Sequence, residues 1–114
     1  MQLKERAYFY ALAVIRLVDK LDKRSLSSEV ISKQLLRSAT SIGANVIEAQ
    51  AGTSKKDFAN FFSHALKSAN ETKFWLGLLR DSNKASRDEI NKLLDETKQL
   101  ANILGASIVT IRKK

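Results

Sequence analysis

The chain has 114 residues, of which 20 are Lys or Arg, 12 are Asp or Glu and one is His, giving a formal net charge of +8; 44% of it is apolar. That length supports one domain with a single modest core, since domains commonly run to about 100–150 residues. With no cysteine, disulfides, thiolate catalysis and Cys-based zinc sites are excluded, and with no proline and four glycines so is a collagen-like or turn-dense chain.

Apolar residues recur at helical steps of three and four along almost the whole sequence. In the first segment Ala7, Ala11, Val14, Val18 and Leu21 form the stripe. Lys4 and Arg6 precede nine apolar residues, 7–15, in a pattern superficially like a secretion signal. Glu5 among the leading charges and Arg16 at the end of the run argue instead for a buried helix. No stretch approaches the ~18–20 apolar residues that span a bilayer, so a cytoplasmic protein without a membrane segment is expected. Residues 22–28 break the pattern, and Ser28 is the expected N-cap of the second helix, with Glu29 in its first turn.

The second stripe is Leu35, Ala39, Ile42, Val46 and Ala49. After it, Gly52 is expected to end the helix in the left-handed conformation, and Ser54 with Asp57 to cap the third. The third stripe runs Phe58, Phe62, Ala65, Ala69, Thr72, Leu76, Leu79. Residues 81–86 break it, and Ser86 with Glu89 forms a capping box before Ile90, Leu93, Thr97, Leu100, Leu104 and Ile111. Helices are therefore expected near residues 3–21, 28–51, 54–80 and 86–112. Short connections make neighbours antiparallel, so the fold class is all-α, an up-down-up-down four-helix bundle in one domain over 1–114.

The first helix carries apolar residues on more than one face: Tyr8, Leu12 and Ile15 form a second stripe beside Phe9 and Tyr10. The third adds Phe61 and Trp75. A 114-residue bundle has little interior for such a surplus, which points to self-association.

Up-down-up-down topology brings the N-terminus, the second loop and the C-terminus to one end. Lys4, Arg6, Lys55, Lys56, Arg112, Lys113 and Lys114 then face only Glu5 and Asp57, a balance of +5, while the opposite end balances at +1. Lys55 and Lys56 also stand in a helical first turn, where backbone N–H groups favour an anion. These seven cations are the candidate nucleic-acid-binding residues for RNA or DNA, held electrostatically. Exposed aromatic clusters that stack bases are not expected, and no zinc-finger, phosphate-loop or RNA-recognition signature is present.

Polar residues also fall at core spacing: Arg37, Ser38, Ser41, Asn45 and Glu48 on the second helix, answered by Ser68 and Glu71 on the third. Buried polar groups need partners, so a structural hydrogen-bonded network is expected. A Glu48–Glu71 pair holding a metal would require the Glu-x-x-His motifs of di-metal bundles, which this chain lacks; no metal or cofactor is expected. His64-Ala65-Leu66-Lys67-Ser68 is similar to the H-x-L-K-G signature of histidine phosphotransfer bundles, with Ser68 in place of Gly, and this makes a phosphorelay carrier one alternative function. A purely structural oligomer is another.

The segment from Arg37 to Ala49 (RSATSIGANVIEA), with Lys55, Phe58 to Phe62, Ser68-Ala69-Asn70-Glu71-Thr72 and Trp75-Leu76, resembles the bacterial four helix bundle protein family. Its members are encoded in intervening sequences of large-subunit ribosomal RNA genes, and the family includes the accessory variability determinant of diversity-generating retroelements. The family's Asn-Ile-Ala-Glu-Gly segment reads Asn45-Val46-Ile47-Glu48-Ala49 here. The resemblance implies a homopentameric barrel without enzymatic activity. In the retroelement branch it implies a basic pentamer that binds nucleic acid and associates with a reverse transcriptase. The family's motif residues map onto Arg37, Ser41, Asn45, Glu48, Ser68 and Glu71, with structural roles.

Overall fold

A computed structural model describes residues 1–52 and 54–113. They form four helices: α1 Leu3–Lys20, α2 Leu26–Ala51, α3 Lys55–Asp81 and α4 Arg87–Lys113. Each packs antiparallel to the next in an elongated bundle of 48 × 21 × 20 Å. The expected stripes supply the interior. Leu35, Ile42 and Val46 of α2, Leu76 and Leu79 of α3, and Ile90, Leu100 and Leu104 of α4 are fully buried, joined by Ala7, Val14 and Leu17 of α1. Burying each large aliphatic side chain stabilises the fold by about 1.5–3 kcal/mol. Among the described residues, no helix is long and apolar enough to cross a membrane.

The helix ends depart from expectation in three places. The cap of α2 is Ser25, whose hydroxyl accepts the Ser28 N–H at 3.2 Å. Ser28 lies inside the first turn, buried, and its hydroxyl accepts from Ser25 Oγ at 2.9 Å. With serine at 25, 27 and 28, the earliest one that can reach an N3 amide starts the helix. Gly52 is not left-handed: at φ −69°, ψ 156° it leaves α2 in extended form, its N–H bonded to the Ala49 carbonyl. The left-handed residue is Asn83, at φ 60° after α3. The Lys84 N–H reaches the Leu79 carbonyl and the Asn83 N–H that of Arg80, the paired bonds of a Schellman ending. Ser54 and Ser86 cap as expected, accepting the N–H groups of Asp57 and Glu89. The Glu89 carboxylate does not stay in its capping box but pairs with Lys20 Nζ at 2.6 Å, tying α4 to α1.

Helix α1 is the short one. Its 18 residues span about 27 Å against about 40 Å for α3 and α4. It lies close against α2, where Ala7 fits over Gly43. Its seam with α4 is more open, with a groove of about 540 Å³ bordered by Phe9, Tyr10, Ala13, Leu93, Glu96 and Gln99. Polar contacts bridge it. The buried Tyr10 hydroxyl meets Thr97 Oγ1 at 2.5 Å, and burial pushes the phenol up to about 12. Tyr10, assigned to the surplus apolar surface from sequence, is thus a core residue.

Candidate nucleic-acid interface

Ser54 fixes where α3 begins, and so places Lys55 and Lys56 in its first turn, at the positive end of the helix dipole. Antiparallel packing brings the last turn of α4 alongside, carrying Arg112 and Lys113, which complement its carbonyl end. Lys55, Lys56, Asn60, Ile111 and Arg112 border one shallow concavity of about 330 Å³. All four of these cations are exposed, with only Asp57 as an acid in the α3 first turn. This is a compact positive site at the tip of the bundle.

The other cations expected there are elsewhere. The Arg6–Glu96 and Ala7–Gly43 contacts fix the level of α1 against its neighbours. They place Leu3 roughly two turns, about 10 Å, short of the tip formed by α2, α3 and α4. Lys4 consequently borders a different groove, between α1 and α2. Arg6 turns into the α1–α4 seam. There its Nη2 donates to Glu96 Oε1 at 2.6 Å and to Gln99 Oε1 at 2.9 Å, and its Nε to Glu96 Oε2 at 3.3 Å. That hydrogen bonding raises the guanidinium pKa further, so Arg6 is a clamp between helices rather than part of the end patch. Lys114 lies outside the described residues. Of the seven expected at one end, Lys4 and Arg6 therefore leave the patch, because α1 is too short to reach that end, while Lys55, Lys56, Arg112 and Lys113 stand in it.

The polar ladder between α2 and α3 is present. Ser68 Oγ donates to Ser41 Oγ at 3.0 Å, Thr72 Oγ1 to Ser38 Oγ at 2.9 Å, and the Arg37 guanidinium to the Glu71 carboxylate. Trp75 Nε1 donates to the same Glu71 oxygen at 2.9 Å. Asn45 serves its own helix, donating to the Ser41 carbonyl and hydroxyl at 2.8 and 3.0 Å. Glu48 is not a rung: it is exposed, and 11 residues beyond Arg37 it stands roughly 16 Å along the axis from Glu71. The two carboxylates therefore cannot share a metal. Thr72, counted among seam residues from its spacing, is the hydroxyl that answers Ser38.

His64 and Lys67 are both exposed on α3, one turn apart, while the Ser68 hydroxyl is taken by Ser41. The expectation of no exposed aromatic cluster is overturned. Tyr8 and Phe9 meet edge to face at 5.6 Å between ring centres, and both are largely exposed. Phe74 is exposed beside the half-buried Trp75, 5.0 Å away. Sequence spacing could not find these, because Phe74 and Phe9 stand off the core stripe and their exposure depends on the helix rotation that packing selects.

A family model described as 23S rRNA-intervening sequence protein matches residues 1–106. A crystal structure of a protein of unknown function from the S23 ribosomal protein family of Bacteroides thetaiotaomicron VPI-5482 is 34% identical. The match covers 94% of this chain and 98% of that one, with a TM-score of 0.87. No curated protein matches the chain.

Proposed function

The chain belongs to the family of 23S rRNA-intervening sequence proteins, and from that premise we propose that it is a non-enzymatic, basic, self-associating bundle that binds RNA or DNA by electrostatic contact. The observation that carries this is the convergence of Lys55, Lys56 and Arg112 on one concavity at the amide end of α3. Contacts of this kind go to the phosphate backbone and carry little base preference. The homopentamer and the association with a reverse transcriptase of a diversity-generating retroelement, both implied by the resemblance, extend the same proposal. Each added copy repeats the cationic site, and repeated sites raise avidity without any new contact.

Binding of a structured RNA, measured between 50 and 200 mM salt, tests it. The logarithm of the association constant should fall linearly with log salt, by about 0.9 for each duplex phosphate neutralised. Replacing Lys55, Lys56, Arg112 and Lys113 with Gln should weaken binding evenly over unrelated sequences and flatten that slope. Binding that ignores salt, or is unchanged in the fourfold variant, would refute the assignment. A native mass near five times 12.8 kDa supports the pentamer; an assembly with no affinity for nucleic acid would mark a purely structural oligomer instead.

The exposure of His64 beside Lys67 favours a second reading, a phosphorelay carrier. Incubation with phosphorylated receiver domains should then leave acid-labile phosphate on the protein, and His64→Gln should abolish it.

A further inference from the structure

The outer seam between α3 and α4 has a register that is fixed at both ends. Near the far end of α3, Arg80 Nη1 donates to Asn91 Oδ1 at 3.0 Å. At the tip, Ala59 and Arg112 border the same concavity. Ala59 stands three heptads before Arg80, and Arg112 three heptads after Asn91. Antiparallel helices packed in this way meet once per heptad, so the two levels between pair Lys73 with Lys98 and Leu66 with Gly105. Two lysines therefore face one another across the seam. Among the described residues, neither takes part in a hydrogen bond or an ion pair. The carboxylates nearest to them in sequence are committed elsewhere: Glu71 to Arg37 and Trp75, Asp95 to Gln99, Glu96 to Arg6. Residues 58–70 of α3 and 97–113 of α4 contain no acid at all. Opposed like charges without a counter-charge repel and cost stability, a cost that an anion lying between them removes.

We propose that the α3–α4 seam is the bed of a single, unpaired nucleic-acid strand, running from the tip at Lys56 and Arg112 to a second phosphate site at Lys73 and Lys98. This rests on the nucleic-acid binding proposed above and names the form of nucleic acid and its path. Lys98 and Arg112 are about 21 Å apart along α4. The stretch between is open, since a Cβ added to Gly105 meets nothing within 4 Å. Asn70 and Asn102, three and four positions from the two lysines and so on the same faces, are exposed, as is Asn60 at the tip. A duplex strand completes a turn in about 34 Å, so over about 21 Å it passes to the far side of the double helix and leaves a straight bed. An extended single strand stays in it. Its base edges, free of a complementary strand, can meet asparagine amides, which both donate and accept hydrogen bonds.

Fluorescence anisotropy tests it, with an oligothymidylate of about eight nucleotides as the single strand and a hairpin duplex of equal charge beside it. Lys73→Gln with Lys98→Gln should weaken binding of the single strand about tenfold. It should also flatten the dependence of log affinity on log salt by about 1.4, at about 0.7 for each single-strand phosphate. Lys33→Gln with Lys92→Gln removes the same charge away from the seam and should change affinity less than about threefold. Gly105→Leu fills the bed without altering charge and should weaken binding too, so the assignment does not hang on one variant folding. Without nucleic acid, the Lys73→Gln, Lys98→Gln protein should melt no lower than the parent in low salt, because it has lost a repulsion. If that variant binds like the Lys33 and Lys92 control while the fourfold tip variant is weakened, the seam path is wrong and the tip site stands. If the duplex binds as tightly as the single strand and loses as much in the seam variants, the single-strand assignment is wrong. A parent chain with no affinity for either probe would overturn the nucleic-acid reading itself, and this path with it.

Discussion

Ser32 and Ser38 both point into the buried side of α2, yet replacing each with alanine should move stability in opposite directions. Ser32 is 2% exposed and its Oγ has no hydrogen-bond partner. A buried hydroxyl left unsatisfied costs about 1–3 kcal/mol, and alanine is also the better helix former by a few tenths. Ser32→Ala should therefore stabilise the protein by about 1–2 kcal/mol. Ser38 is equally buried but accepts from Thr72 Oγ1 at 2.9 Å and donates to the Leu35 carbonyl at 3.2 Å. Removing it loses a satisfied contact, while Thr72 keeps the Ser68 carbonyl at 2.7 Å, so Ser38→Ala should cost about 1 kcal/mol rather than the full penalty of a stranded group. An unfolding entropy of about 2.1 cal/mol/K per residue over 114 residues makes 1 kcal/mol worth about 4 °C. Thermal and urea unfolding at fixed protein concentration should then show Ser32→Ala melting roughly 4–8 °C above the parent and Ser38→Ala about 4 °C below. A neutral or destabilised Ser32→Ala would show that its hydroxyl is satisfied after all and sink the argument.

Tyr10 makes stability fall at alkaline pH. Its phenol titrates near 12 in the fold against an ordinary value of 10, so the unfolded chain ionises first. The contribution is complete below pH 10 and is lost as pH rises from 10 towards 12, at about 1.4 kcal/mol per pH unit. Tyr10→Phe should cost about 1 kcal/mol at neutral pH, because Thr97 keeps the Leu93 carbonyl, and should remove that share of the alkaline decline in urea titrations. At the α3–α4 turn, Asn83→Gly should be neutral or slightly stabilising, whereas Asn83→Ala should cost about 1 kcal/mol, since a Cβ is disfavoured at positive φ. Equal urea midpoints for the two Asn83 variants would contradict that assignment.

The helices were legible because the core stripes are strong and local: every fully buried aliphatic residue of α2 and α3 lies on the spacing read from sequence. The ladder was legible for the same reason, since Ser41, Ser68 and Glu71 recur at core intervals where a lone polar group would be costly. What failed depended on competition between near-equivalents or on lengths. Three serines compete to cap α2, and the choice between Ser25 and Ser28 turns on one hydrogen bond. The grouping of cations rested on topology alone, and the level at which α1 docks, with Ala7 over Gly43 and Arg6 on Glu96, moved Lys4 and Arg6 from the tip. Whether Tyr10 or Tyr8 faces inward was settled by Thr97, a partner 87 positions away that no local pattern reveals.

The thin seam between α1 and α4 also sets an order of events. Helices α2 and α3 interlock through the ladder and α3 packs along α4 over long core stripes, whereas the short α1 rests on α2 alone at close range and is fastened to α4 chiefly by Arg6, Tyr10 and Lys20. Such an element opens sub-globally before the rest. In native-state hydrogen exchange, the amides of α1 should trade deuterium ahead of those of a surviving three-helix unit, making the amino-terminal segment the first to peel away and the last to dock.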